Sequence, residues 1–352
     1  MRSAVLDVTT LENLVSAAVA APSIHNTQPW RFRLDPDTLT LEIRAATARG
    51  LRHTDPTGRG LYLSVGCALL NLRIAVAHHG WEPVSRLLPR PDEPDLLATV
   101  RPSGTAAASS TPRLYGTLWR RHSSRFPFSG RQLPTAVLTE LAEAAHVEGA
   151  RLSVPGPTES DRLLRLTREA EHRNTADPDR AAESRRWVHG PADDALGIPP
   201  AALGPQDFRE RLPMRDFGAH RHPDALTARP FEERPSLAVL STAHDRRADW
   251  LRAGQALERV LLVATTYGVR SSLLHQALEW PDLREQLMEA PGGRGAHAQM
   301  VLRLGYGPQG PPSPRRTADQ VLAGEPLSIP VPGAGGPVRD GAPRPRDSRH
   351  GG

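Results

Sequence analysis

Two long apolar segments match each other at several positions, and this match constrains the fold more than any other feature of the sequence. Leu61 to His79 and Trp250 to Tyr267 each repeat apolar residues at helical spacing, so each predicts a long helix. Gly66 of the first segment recurs as Gly254 of the second, 188 positions later, together with the leucine three positions before each glycine. Because the first segment is apolar on most faces, we expect it to be central and buried. The sequence therefore predicts one structural unit that occurs twice.

The shorter elements occur in the same order in both halves of the chain. A helix comes first, and the earlier one begins at a capping box of Thr9 and Glu12, whose side chains satisfy the first backbone N–H groups. A strand then precedes each long helix and another follows it. These predicted elements are the helices from Thr9 and over Pro134 to Ala145, and the strands Leu39 to Arg44, Leu96 to Val100, Leu237 to Leu240 and Gln299 to Leu304.

The second half contains an insertion. The first helices of the two halves are 127 positions apart, whereas the long helices are 188 positions apart. About 61 residues are therefore added between the first helix and the long helix of the second half. We place the insertion at about 171–230, where periodicity is lost, and expect a lid over a functional site or a disordered segment. The predicted halves are 1–108 and 109–325. The tail 326–352 has twelve prolines and glycines among its 27 residues and is predicted to be disordered.

Composition excludes several kinds of chemistry. The chain has no lysine, so all 44 cationic side chains are arginine, and neither a Schiff-base lysine nor a P-loop lysine is present. The single cysteine, Cys67, excludes internal disulfides and multi-cysteine metal sites, and its apolar helical setting indicates packing. His220 and His222 have no third ligand nearby, so no metal site is predicted. The net charge of +5 is a weak field over this length.

Polar and charged residues within the apolar stretches of the sequence predict where the protein is located. Asn71 and Arg73 interrupt the longest one, and Asp7 and Glu12 interrupt the N-terminal one. We therefore expect neither a membrane span nor an export signal, and a cytoplasmic protein without a membrane or nucleic-acid partner.

The first polar cluster lies in a turn after the first helix. Ser23, His25, Asn26 and Gln28 come within six residues and are followed by Pro29 and a tryptophan. Carboxamides both donate and accept hydrogen bonds, which suits the edge of a planar heterocycle. The alternative is that these side chains only satisfy the backbone of the turn.

The second polar cluster lies in the middle of the chain. Arg121, Ser123 and Arg125 precede two phenylalanines, Phe126 and Phe128. Arginine contacts phosphate through two N–H groups and serine adds a short hydrogen bond, so the cluster is typical of a phosphate site. The alternative is a solvated basic loop.

Taken together, the two clusters resemble the signature motifs of the FMN-dependent nitroreductase family. The patterns are Pro-Ser-x-x-Asn-x-Gln-Pro-Trp at 22–30 and Arg-His-Ser-x-Arg at 121–125. With the insertion and the run at 212–217, the chain is similar to the Acg branch. The resemblance implies an α+β fold, duplicated in one chain as a fused pseudo-dimer, with central sheets flanked by helices and two long buried helices. It also implies one complete FMN site per chain, shared by the two halves.

The resemblance also implies which residues bind the cofactor. Those expected at the phosphate are Arg121, Ser123, Arg125 and Arg316, with Arg315 as a substitute for the last. Those expected around the ribityl chain and ring edge are Ser23, Asn26 and Gln28, with Ile24 and His25 nearby. A backbone N–H is expected to meet flavin N5, and its candidate donors are Leu274, His275 and Gln276.

The implied function is reduction of a small, flat electron acceptor, such as a nitroaromatic or a quinone, with NAD(P)H as co-substrate. Hydride would pass through flavin N5, and the protein would be a monomeric pseudo-dimer or a homodimer. Since no nicotinamide pocket is evident in the sequence, the alternative is a flavin-sequestering, storage or sensor protein without turnover. An arginine-rich nucleic-acid binder is disfavoured, because aromatic residues are not interleaved with the arginines.

Overall fold

A computed structural model describes residues 6–105, 111–188, 195–217, 227–288 and 295–322. The first half comprises α1 (Val8–Val19), β1 (Trp30–Asp35), β2 (Thr40–Ala45), α2 (Arg59–His78), β3 (Glu82–Leu87) and β4 (Leu96–Ser103). The second half comprises α3 (Thr111–Tyr115), α4 (Thr135–Val147), β5 (Arg151–Ser153), α5 (Pro157–Ala176), α6 (Pro178–Arg186), β6 (Gln206–Asp207), β7 (Ala228–Arg229), β8 (Ser236–Thr242), α7 (Arg247–Thr266), β9 (Arg270–Leu273), α8 (Pro281–Met288), β10 (His297–Gly305) and α9 (Ala318–Val321).

Each half contributes one four-stranded sheet, and the two sheets have the same topology. The strand order is β1-β2-β4-β3 in the first sheet and β5-β8-β10-β9 in the second, with antiparallel pairing throughout. In both halves a long helix connects the second strand to the third. The two halves therefore repeat one arrangement of strands and helix, which confirms the predicted duplicated α+β fold.

The two long helices, α2 and α7, pack directly against each other. A Cβ atom added to Gly66 would lie 2.3 Å from the Leu251 carbonyl oxygen, and one added to Gly254 would lie 2.1 Å from that of Leu63. These are the residues that the sequence matched at a spacing of 188, so equivalent positions of the two halves meet each other. Glycine is required at both positions because any side chain would separate the helices.

A single hydrophobic core joins the halves around these helices. It includes Leu14 and Phe32 from the first half and Leu141 and Leu240 from the second. Among the described residues, α2 is the one helix long and apolar enough to cross a membrane by length and composition, and 83% of its most apolar window is buried. Its position between α1, α7 and the first sheet accounts for its apolar character.

Several element boundaries differ from the sequence-based predictions. Both long helices are confirmed, but α1 begins before the predicted capping box: Asp7 is the N-cap, and its Oδ1 accepts the Thr10 N–H at 2.7 Å. The strands β1, β3, β5 and β9, and the two-residue strands β6 and β7, were not predicted. β5 has only three residues, and β3 is largely exposed, so neither shows a clear alternation of apolar and polar residues.

The additional residues of the second half lie between β5 and β8, at 154–235, where the first half has only the turn 36–39. They begin before the predicted position of 171 and include a regular helix, α5. That helix buries few apolar side chains, among them Leu163 and Leu166, which explains its weak apolar periodicity. The tail 326–352, which was predicted to be disordered, lies outside the described residues.

We predict that Gly66→Ala lowers the free energy of unfolding by about 1–3 kcal/mol, because overpacking between α2 and α7 outweighs the roughly 1 kcal/mol gain in helix propensity. Chemical denaturation measures this change. Gly116→Ala is the control, since a Cβ there meets no atom within 4 Å. An unchanged or higher stability of Gly66→Ala would contradict the required close approach.

Candidate functional site

A cavity of about 590 Å³ lies where the two halves meet, and this volume is within the usual range for small-molecule sites. Both polar clusters contribute to its wall. The first half supplies the turn at 22–26 and the start of α2, and the second half supplies 121–125 together with parts of α7 and β9. The structure therefore brings the two sequence motifs to one cavity. Of the residues named from sequence, those that line it are Ser23, Ile24, His25, Asn26, Arg121, Ser123, Arg125, His275 and Arg315.

The turn from the first half has an unusual backbone. His25, Asn26 and Gln28 have φ angles of 48°, 54° and 46°, a left-handed conformation that is uncommon outside glycine. The Asn26 side chain holds the turn in place: its Nδ2 donates to the carbonyls of Gly197, at 2.8 Å, and Pro314, at 3.0 Å. Strained backbone of this kind persists where surrounding contacts fix it, and it is often found at functional sites.

Gln28 does not line the cavity. Its side chain is fully buried, with Nε2 donating to the Ala195 carbonyl at 2.7 Å and Oε1 accepting the Arg316 backbone N–H at 3.0 Å. Both ends of the carboxamide therefore bind protein backbone. Gln28 therefore stabilises the turn from outside the cavity. The side chains of the turn that could contact a ring edge are those of residues 22–26, which line the cavity.

Of the two adjacent C-terminal arginines, Arg315 lines the cavity and Arg316 does not. Arg315 donates from Nη1 to Asn26 Oδ1 at 2.9 Å and from Nε to the Ala21 carbonyl at 3.1 Å. The Arg316 guanidinium instead donates to the Gln320 carbonyl. The expected order of the two residues is therefore reversed: Arg315, and not Arg316, has its side chain in the cavity wall.

Of the five described arginines that line the cavity, Arg121, Arg125 and Arg315 are among the residues expected at the phosphate, and they fall into two groups. Arg121 and Arg315 lie together, and burial, followed by the charge of Arg121, lowers the pKa of Arg315. Arg125 lies at the other end and interacts electrostatically with His25, His275 and Arg215. The charged groups that act on Arg125 therefore differ from those that act on Arg315, and its assignment to a phosphate site shared with Arg121 stays a prediction.

The buried arginines could accommodate an anionic ligand. Burial lowers the pKa of Arg125 to about 10, and burial together with Arg121 lowers that of Arg315 to about 9. Arg125 donates to the Ala202 carbonyl at 2.8 Å, and Arg315 has neutral oxygens as its hydrogen-bond partners. Buried cations without a carboxylate in contact favour an anion, so the donor set suits a phosphate at the Arg315 end.

A buried ion pair connects the turn to the segment after β9. Arg215 contacts His25 Nε2 through Nη1 at 3.0 Å, and its Nη2 donates to Glu279. Glu279 also contacts His275 Nδ1. Arginine can only donate, so His25 Nε2 accepts and its imidazole carries the proton on Nδ1. The sequence noted the run that contains Arg215 but did not assign it or Glu279 a role.

Burial and the neighbouring charges together determine the protonation states of these groups. Burial, followed by Arg215, lowers the pKa of His275 and holds that of His25 well below its usual value, so both imidazoles are neutral near pH 7. Although burial opposes it, Arg215 and His275 lower the pKa of Glu279. The carboxylate therefore stays ionised, and it keeps a proton on His275 Nδ1.

Leu274, a candidate backbone donor, is excluded by its contacts. Its N–H already donates to the Val301 carbonyl at 2.9 Å, and its side chain packs in the core beneath the insertion, with Ala277 and Leu278. Of the three candidate donors Leu274, His275 and Gln276, His275 is the one that lines the cavity. A backbone donor to a bound ring would have to come from a residue after Leu274.

The described part of the insertion covers the cavity. Ile198 and Ala202 line it, and Phe217 packs edge-on against His25, with ring centroids 5.1 Å apart. The Arg125 guanidinium lies 4.9 Å from the centre of the Phe217 ring. Residues 220 and 222, the weak metal candidates, lie outside the described residues, and those that are described contain no cluster suited to a metal ion.

The duplicated α+β fold and the cavity shared by its halves define a nitroreductase-like protein. Rv3131 of Mycobacterium tuberculosis, named as a candidate NAD(P)H nitroreductase, is 31% identical over 320 residues, which cover 90% of this chain and 92% of the relative. Acg of the same organism, named in the same way, is 29% identical over 89% of this chain and 95% of its own length. The chain belongs to this NAD(P)H nitroreductase family, in the branch that includes Acg, which confirms the resemblance found in the sequence.

A solved structure from Anabaena variabilis, described as a candidate nitroreductase, is similar with a TM-score of 0.46 and 13% identity, covering 85% of this chain and 88% of that one. No protein-family model matches the chain.

We predict a pH-dependent contribution of His25 to stability. Its pKa is lower in the folded than in the unfolded protein, so the contribution is present above about pH 6.5 and is lost as the pH falls towards the folded pKa. The stability difference between the wild type and His25→Gln should therefore decrease from pH 7.5 to 5.5, by up to about 1.4 kcal/mol per pH unit. Denaturation at each pH measures this difference. The exposed His146→Gln is the control, and a pH-independent difference for His25→Gln would refute the prediction.

Proposed function

We propose that this protein is an FMN-dependent oxidoreductase that takes electrons from NAD(P)H and reduces small, flat acceptors such as nitroaromatics or quinones. The observation that carries this proposal is the single cavity to which each half contributes one motif segment. The names of the relatives support the nicotinamide donor. FMN, when bound, supplies the two-electron redox chemistry.

The residues of the cavity suggest how the cofactor would be held. Arg121, Ser123 and Arg315 would hold the phosphate, because they combine two cations and a hydroxyl at one end. Arg125 would instead face the polar edge of the ring, near His25. Apolar residues between these ends, which suit the face of a planar ring, are Ile24, Leu63, Leu257, Leu273 and Met300.

The insertion would act as a lid over the acceptor site. Phe217 and Ile198 would exclude water, and the buried pair of Arg215 and Glu279 would hold the lid against the turn. Glu279 would also fix the proton of His275 on Nδ1, which leaves Nε2 as a hydrogen-bond acceptor. We further propose that the halves 1–108 and 109–325 act as a pseudo-dimer with one site per chain.

A covered cavity also fits the alternative of flavin storage without turnover. We predict that NADPH or NADH reduces the bound flavin much faster than free FMN in anaerobic stopped-flow experiments, seen as loss of the flavin absorbance. Tight flavin retention with no reduction by either nucleotide would contradict the enzyme proposal and support storage.

We predict that Arg315→Met weakens FMN binding by about 10–100-fold, because it removes a charged contact worth roughly 1.5–3 kcal/mol. Riboflavin, which lacks the phosphate, should bind the variant and the wild type alike. Fluorescence titration measures both affinities. Arg316→Met is the matched control, since the neighbouring side chain lies outside the cavity. An equal loss in both variants, or an equal loss for riboflavin, would argue against a phosphate contact.

A further inference from the structure

Glu258, in the middle of α7, is a buried carboxylate directly behind the phosphate end of the cavity. Its side chain is fully buried beside the Asn71 carboxamide and the Arg121 guanidinium. The Nε atom of Arg121 lies 3.4 Å from Glu258 Oε1 and has no hydrogen bond of its own. Charge therefore holds this arginine beside the carboxylate, which would be costly to bury without a cation.

The surroundings of Glu258 contain few other charges. α2 presents Cys67 and Asn71 to it, and the C-terminal segment presents Arg315. Burial and the nearby carboxylate raise the pKa of the Cys67 thiol well above its usual value, so this group stays neutral. His122 also lines the cavity here, and it is neutral because burial, followed by Arg121 and Arg315, lowers its pKa. Arg270, which also acts on His122, is half-buried and does not line the cavity. Around Glu258 itself, two arginines and one carboxylate therefore leave an excess of one positive charge.

A bound phosphate would change this balance. A phosphate monoester carries about −1.5 to −2 charges at pH 7. Together with ionised Glu258 it would exceed the charge of Arg121 and Arg315 by about one unit, next to a fully buried carboxylate. Arg125 cannot supply the missing charge, because it lies at the other end of the cavity beside His25.

We propose that Glu258 takes up one proton when the phosphate of the cofactor binds, and that this neutralisation releases Arg121 from the carboxylate to the phosphate. Glu258 is thus a positioning residue for Arg121. In the free protein it holds the guanidinium in place, and in the complex it carries a proton. This inference rests on the proposed FMN site.

The pKa of Glu258 lies in a range where binding can change its protonation state. Its pKa is raised to about 7, because burial disfavours the charged form more than Arg121 and Asn71 favour it. A phosphate beside it would raise this pKa further. Between the pKa of Glu258 in the free protein and its higher pKa in the complex, the complex binds more protons than the free protein. FMN affinity therefore falls as the pH rises through this range, by up to about tenfold per pH unit.

The test is FMN titration of the full-length protein at pH 6.5, 7.5 and 8.5, with calorimetry at pH 8 in two buffers of different ionisation enthalpy. For the wild type we expect weaker FMN binding at higher pH and uptake of about one proton per FMN. Riboflavin should show neither effect. Glu258→Gln, which replaces the carboxylate by a neutral group of the same shape, should bind FMN with a flat pH profile.

Glu148→Gln is the matched control, because Glu148 is another buried carboxylate paired with arginines, Arg73 and Arg259, and does not line the cavity. It should keep the wild-type pH profile. Equal pH slopes in the wild type and Glu258→Gln would overturn the inference but not the FMN site. If Glu258→Gln does not fold, proton uptake in His122→Gln decides, because His122 is the other titratable group beside Arg121 and Arg315. Uptake that is lost in His122→Gln, or that is equal for FMN and riboflavin, overturns the inference. Absence of flavin binding at every pH would overturn both proposals.

Discussion

The close approach of α2 and α7 at Gly66 and Gly254 is the contact on which the rest of the structure depends. Because neither position tolerates a side chain, the two helices lie at one fixed separation and equivalent residues of the halves meet. The same contact forms the cavity wall, since Leu63 and Cys67 of α2 and Leu257 of α7 all line it. The core and the candidate site are therefore determined by one packing geometry.

Electrostatics gives the two ends of the cavity different character. Arg121 and Arg315 share the buried carboxylate of Glu258 at one end, whereas Arg215 and its partner Glu279 neutralise each other at the other. Arg125 adds a cation beside that second pair. An elongated ligand with a phosphate at one end and a polar ring at the other would match this division, which supports the proposed FMN orientation.

Features that depend on local sequence patterns could be predicted from the sequence. Features that depend on contacts between distant residues could not. The long helices were predictable because their apolar periodicity is strong, and the polar motifs were visible because several polar residue types recur at short spacings in each of them. Polar helix α5 was missed for lack of such periodicity. The partner of Arg215, and the choice between Arg315 and Arg316, depend on residues far away in the chain, so no local spacing indicates them.

The differences between the halves are consistent with the proposal of one complete site per chain. In the first half, ten positions, 20–29, separate α1 from β1 and form the turn that lines the cavity. In the second half only 148–150 separate α4 from β5, so an equivalent turn has no room to form. The residues added after β5 cover the single cavity instead. The duplicated core thus keeps the packing of a symmetric pair, while its loops have become specialised for one ligand.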